Sequence, residues 1–143
     1  MSIDTQIIPK TSHILGIDFG KAKVGLALAD GETKMAFAYS TITNDKNLLQ
    51  NIAEIVEKEH VKKIIIGVPA YFNTKNVEYE GETFGKLIQK VIDIPVFYQN
   101  EMFTTKMAQA NLIEKKVKGV KNYDDEEAAR IILQEWLDRS ELC

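Results

Sequence analysis

Apolar residues run together at Ile14-Leu-Gly-Ile17, break on Asp18, and resume at Val24-Gly-Leu-Ala-Leu-Ala29. Runs of this length, bounded by Gly20 and by Asp30-Gly31, predict strands over 14–19 and 24–29, with a third over 36–42. The short turns between them make an antiparallel meander. The period then changes. Leu48, Leu49, Ile52, Ile55 and Val56 fall on one face of a helix over 45–60, for which Asn44 or Asp45 supplies a cap. Lys63–Val68 is a nearly continuous apolar run of the buried parallel type, ended by Pro69.

Beyond a loop at 70–76, Phe84, Leu87, Ile88 and Val91 carry a weaker helical pattern over 77–91, diluted by Gly81 and Gly85. A strand over 95–99 follows. A helix from 103 or 104 to about 116 carries Met107, Ala108, Asn111 and Leu112. A last helix over 125–137 has the stripe Ala128, Ala129, Ile132, Leu133, Trp136 and Leu137. Three meandering strands followed by alternating helix and strand predict an α/β fold: a five-stranded mixed sheet, three strands antiparallel and then parallel strands, flanked by helices. Sites in such sheets gather at the carboxyl ends of the strands.

At 143 residues, 45% hydrophobic and 27% charged, the chain fits one domain, read as 13–139 behind an extension at 1–12. No apolar run has signal-peptide or membrane-spanning length, so a soluble, cytoplasmic protein with no membrane partner is expected. The single cysteine, Cys143, excludes a disulfide framework and a cysteine-based metal knuckle. His13 and His60 have no metal-ligand spacing and read as core-edge or helix-end residues. A net charge of −3 argues against general coating of nucleic acid, but the charge is unevenly placed. Lys115, Lys116, Lys118 and Lys121 cluster just before Asp124-Asp-Glu-Glu127. The cluster is either a solvated loop or a grip on phosphates beside acids that hold metal.

Asp18 is the first candidate for chemistry. A carboxylate among Ile, Leu and Phe must protonate, find a cation or lie at the mouth of the sheet. Gly20 and Gly25 let a backbone or a phosphate come close, and Lys21 and Lys23 bring positive charge to the same turn. The simpler alternative is a hairpin whose acid satisfies turn amides. Glu101 follows the strand at 95–99, and Asp125 opens the last helix. If the strands that carry them are neighbours, three carboxylates converge, and hard cations are needed between them. Otherwise Glu101 is a loop residue, Asp125 serves the helix dipole, and Asp124 with Glu127 forms a capping box.

The phrases Ile17-Asp18-Phe-Gly20-x-x-Lys23-x-Gly25, Ile64-Ile-Ile-Gly67-Val-Pro69, Asn100-Glu101-Met-Phe-Thr104-Thr105-x-x-Ala108 and Asp125-x-x-Ala128-Ala129-x-x-x-Leu133-Gln134 occur in one order along residues 13–138. In that order and spacing the chain resembles the YqgF/RuvX family. The resemblance implies an RNase H-like fold and a metal-dependent nuclease, described for the family as a Holliday-junction resolvase and as the enzyme that processes the 5′ end of pre-16S rRNA in ribosome biogenesis. It implies an acidic triad of Asp18, Glu101 and Asp125 that both ligates metal and carries catalysis, with Lys23 as a basic residue of the first motif. The cofactor implied is a pair of Mg²⁺ or Mn²⁺ ions, which suit oxygen ligands and need no covalent nucleophile. Candidate phosphate contacts are Lys23, Lys115, Lys116, Lys118 and Lys121.

Asn100 and Met102 stand where the family writes Asp and Arg, which removes a bidentate phosphate or carboxylate contact. The loop after Pro69 lacks the family's glycine. Thr104 and Thr105 suit a helix N-cap. The partner implied is pre-rRNA or branched DNA, and both a monomer and a homodimer remain open. Two other classes stand beside this reading. One is an actin-like or sugar-kinase ATPase, which shares the Asp-x-Gly turn but needs two such domains. The other is a non-catalytic nucleic-acid-binding module.

Overall fold

A computed structural model describes residues 12–68, 80–100 and 124–141. The elements are β1 (His13–Phe19), β2 (Lys23–Asp30), β3 (Ala36–Thr43), α1 (Leu48–Lys58), β4 (Val61–Val68), α2 (Glu80–Val91), β5 (Val96–Asn100) and α3 (Asp125–Glu141). They form one five-stranded sheet in the order β3-β2-β1-β4-β5. β1, β2 and β3 pair antiparallel, and β4 and β5 join parallel to β1. The mixed sheet flanked by helices is the predicted one. The helix expected over 103–116 lies outside the described residues.

Alternation along the strands divides the apolar residues between two faces. Leu15, Ile17, Val24, Leu26, Ile64 and Ile66 pack with Leu48 and Ile52 of α1 and with Phe84 and Ile88 of α2. Ile14, Ala27, Ala29 and Ile65 pack on the other face with Ala129, Leu133 and Leu137 of α3. The α3 face is built largely from small residues, so the helix lies close. A Cβ at Gly16 would stand 2.7 Å from Leu133 Cβ and 3.2 Å from the Ala129 carbonyl oxygen.

One expectation of strand order needs correction. If three acids converge, the end of the strand beginning at Val96 is expected beside Asp18, but β4 lies between β1 and β5. Burial explains the order. The Ile64–Val68 run of β4 is buried residue by residue and belongs inside the sheet, whereas β5 alternates between exposed and covered positions, as an edge strand does. The carboxyl ends of β1 and β5 therefore share a rim at a distance of two strands.

Neither residue expected to cap α1 does so. Asn47 is the cap residue, reached through a turn in which Asp45 Oδ1 accepts the Asn47 N–H at 2.9 Å. Asn44 is occupied elsewhere. Its Nδ2 donates to the Gly20 carbonyl at 2.7 Å and its N–H to the Ala22 carbonyl at 2.9 Å, so it fastens the β1–β2 turn. Both histidines sit at the end of α1. His60 takes a left-handed φ of 54° just past the helix, and the Glu59 carbonyl receives a hydrogen bond from His13 Nδ1 at 2.7 Å, which fixes that tautomer.

Candidate active site

Asp18 lies near the end of β1, on the face that α3 covers, because it alternates with Ile14 and Gly16. Its cross-strand partner is Gly25 of β2. Above Gly25 stands the start of α3, so close that a Cβ there would collide with the Asp125 carbonyl oxygen. The glycine read from sequence as a place where backbone or phosphate comes close is thus occupied by backbone, the first turn of α3. A second tie holds that turn over the sheet, since Thr41 Oγ1 of β3 donates to Glu126 Oε1 at 3.0 Å.

Two acids separated widely in sequence are therefore brought together at one rim. Burial pushes the Asp18 carboxyl up to about 6, and the negative charge of Asp125 adds to the rise. Among the described residues no lysine or arginine forms an ion pair with Asp18. Lys23 lies on the same face, two residues outward from Gly25, with its side chain exposed. A largely buried carboxylate beside an exposed one, with no cation paired to Asp18 among the described residues, fits a hard divalent ion with oxygen ligands. Among the described residues no three His, Cys, Asp or Glu side chains close into a ligand set. Glu101, the third acid expected, follows Asn100 and lies outside the described residues, as do Lys115, Lys116, Lys118 and Lys121.

The family profile described as RuvX, Holliday junction resolvase, matches residues 12–139. The chain belongs to the RuvX family. A relative from Streptococcus uberis, named "Putative pre-16S rRNA nuclease", is 35% identical over 137 residues, covering 90% of this chain and 99% of its own. One of the same name from Rickettsia africae is 35% identical over 139 residues, covering 92% and 89%. Among solved structures, RuvC of T. thermophilus in complex with a Holliday junction superposes with a TM-score of 0.59 at 12% identity, covering 91% of this chain and 96% of that one. The Fowlpox virus resolvase with its junction DNA gives 0.57 at 12% identity, covering 90% and 98%. These structures share the RNase H-like resolvase fold.

Within this RuvX chain, the last sequence motif divides its labour. Ala129 and Leu133 pack on the small-residue face of the sheet, while Gln134 clamps the start of β3: its Oε1 accepts the Ala36 N–H at 2.9 Å and its Nε2 donates to the Lys34 carbonyl at 3.2 Å. The capping box does not form through Glu127, whose carboxylate takes Arg130 Nε at 2.9 and 3.0 Å and Nη2 at 2.6 Å. Asp124 caps through its carbonyl, which accepts the Glu127 and Ala128 N–H groups. Sequence reasoning passes over Gln99. It is 3% exposed and pairs with Gly67, the β4 residue just past Ile66, which itself pairs with Ile17 of β1. The available signal is its alternation with Phe97, whose ring meets Trp136 of α3.

Proposed function

We propose that this RuvX protein is a cytoplasmic, metal-dependent nuclease that hydrolyses phosphodiester bonds in structured RNA and trims the 5′ end of pre-16S rRNA during ribosome biogenesis. The observation that carries the proposal is the convergence of Asp18 and Asp125 over Gly25, with Asp18 held near pKa 6. The name carried by the Streptococcus uberis and Rickettsia africae relatives favours pre-rRNA as substrate. The family description and the junction-bound structural neighbours favour the second reading, cleavage of branched DNA by the same site. Family membership favours either over an ATPase.

Asp18 and Asp125, with Glu101 as the third acid, would hold Mg²⁺ or Mn²⁺. When bound, the metal supplies Lewis-acid activation of water and neutralises charge on the leaving oxygen. Asp18 must give up its proton to ligate, so a site poised near 6 is ready at neutral pH and disabled in mild acid. Thr41 holds Glu126 and thereby the first turn of α3, which orients Asp125. Lys23, exposed on the same face, would meet a phosphate entering from the rim.

Cleavage of RNA bearing the 16S 5′ leader and of a four-way DNA junction, each in Mg²⁺ and in Mn²⁺, tests the proposal. Asp125→Asn should abolish cutting. Asp124→Asn should keep it, because Asp124 is exposed, caps through its main chain, and Asn caps about as well as Asp. Equal inactivity of the two would move the ligand register, and activity in both would remove α3 from the chemistry. Alongside the cleavage assay, replacing Lys115, Lys116 and Lys118 with Ala should flatten the salt dependence of nucleic-acid binding by about 0.7 to 0.9 in log-log slope for each phosphate no longer neutralised. An unchanged slope makes that segment a solvated loop.

A further inference from the structure

At the other end of β1 from Asp18, a cleft of about 360 Å³ opens between the starts of β1 and β4 and the outer part of α3. Its size falls within the roughly 300–1,000 Å³ of small-molecule sites. His13, Lys34, Lys62, Lys63 and Trp136 are among its walls, and no carboxylate lines it among the described residues. Of the acids beside it in sequence, Asp30 Oδ1 accepts the Glu32 N–H at 2.7 Å and Asp138 Oδ1 accepts Gln134 Nε2 at 3.1 Å, and neither these nor Glu32 and Glu135 stand in the walls. Three lysines lining one cleft with no carboxylate in its described walls call for an anion.

The cleft is also built, rather than a chance meeting of surface lysines. Lys34 holds a left-handed φ of 58°, which a lysine rarely adopts, and it is pinned there by its N–H to the Asp30 carbonyl at 3.0 Å and by Gln134 on its own carbonyl. Trp136 is fixed from one side by Phe97, with ring centroids 5.6 Å apart, and carries Lys63 Nζ 5.9 Å from its own centroid. A half-buried indole in a cationic wall is the pairing that takes a nucleobase by stacking and its phosphate by charge.

We propose that this cleft binds a nucleoside phosphate, the base against Trp136 and the phosphate among Lys34, Lys62 and Lys63, as one unit of a single strand that runs along α3 from the acid rim. His13 and Asp18 lie five positions apart on β1, about 17 Å, so the cleft and the acid pair are distinct stations. Placing the nucleotide on a substrate strand rests on the nuclease reading, whereas binding of a nucleoside phosphate does not.

Trp136 is the single tryptophan of the chain, so its fluorescence reports this cleft alone. The full-length protein in EDTA, where no cutting occurs, is titrated with a thymidine decamer, with thymidine monophosphate and with an abasic decamer. Saturable quenching by the first two, and little by the third, is expected. A decamer midpoint well below that of the monophosphate supports the strand, and equal midpoints overturn it in favour of a free nucleotide.

The double variant Lys34→Asn/Lys62→Ala should shift the midpoint roughly tenfold upward and flatten its salt slope by about 0.7 for each phosphate no longer neutralised. Asn tolerates the left-handed backbone, and Lys63 is kept because its removal alone would change the indole signal. No saturable quenching, equal quenching by the abasic strand, or an unmoved midpoint in the double variant overturns the proposal. Cleavage in Mg²⁺ without quenching would sink the cleft and spare the nuclease, and quenching without cleavage would do the reverse.

Discussion

Asp18→Asn should give a protein that is harder to unfold and unable to cut. In the metal-free protein the Asp18 carboxyl is raised from 3.8 to about 6 by burial and by Asp125, so above pH 6 its charge burdens the native state. The displacement corresponds to on the order of 2–3 kcal/mol at neutral pH. Because the folded-state pKa lies above the unfolded one, the stabilising proton is bound below about pH 4 and released as pH rises through about 6. The variant should therefore melt several degrees above the wild type at pH 8 in EDTA, and the gap should close as pH falls from 6 to 4. Cleavage should drop by at least about a hundredfold, the loss of several kcal/mol of metal-borne transition-state stabilisation. Thermal melts across pH, beside single-turnover cleavage, check both halves. A variant that melts lower at pH 8 would mean that Asp18 is satisfied by groups other than a metal.

Gly25→Ala attacks the same site from beneath. A methyl at that position meets the Asp125 carbonyl oxygen and carbon and, at 3.0 Å, the Glu126 nitrogen. All three are backbone atoms and cannot swing aside, so the first turn of α3 must lift from β2. Overpacking of this kind costs about 1–3 kcal/mol. A shift of about 1 Å in a ligating group costs roughly a hundredfold in rate. Both losses are expected, with metal affinity, read by calorimetry, falling alongside activity. Gly31→Ala is the matched control: its Cβ would meet only the Ser12 carbonyl at 3.4 Å, an ordinary contact, and it should change little. A fully active Gly25→Ala protein would separate α3 from the catalytic rim.

Periodicity makes most of this fold legible. β1, β2, β3 and β4 announce themselves because each is a run or an alternation interrupted by a turn, and the α3 stripe from Ala129 to Leu137 packs as its spacing predicts. What local pattern cannot carry is adjacency. Nothing in Val96–Asn100 says that β4 intervenes between it and β1; that follows from which strand must be buried on both faces. Asn44 misleads for the same reason, since its chemistry suits a helix cap and is spent on Gly20 instead. In the site, Asp18 and Asp125 are legible as acids at element ends, while the collision that makes Gly25 indispensable depends on two segments meeting in space. Gln99 is passed over because a polar residue at a strand end reads as exposed unless its alternation with Phe97 is given weight.

The packing of α3 also sets a timetable for synthesis. The helix that closes the small-residue face joins strands made long before it, as the Gln134 clamp on Ala36 shows across 98 residues. On the ribosome the meander of β1, β2 and β3 emerges first, with Asp18 on it and no Asp125 to face. Contacts this distant in sequence slow folding and leave one side of the sheet waiting. The waiting surface is largely Gly16, Ala27, Ala29 and Ala36, short side chains that offer little for a neighbouring nascent chain to stick to. A protein that cuts RNA only once α3 has docked would thus be harmless to the message from which it is being read.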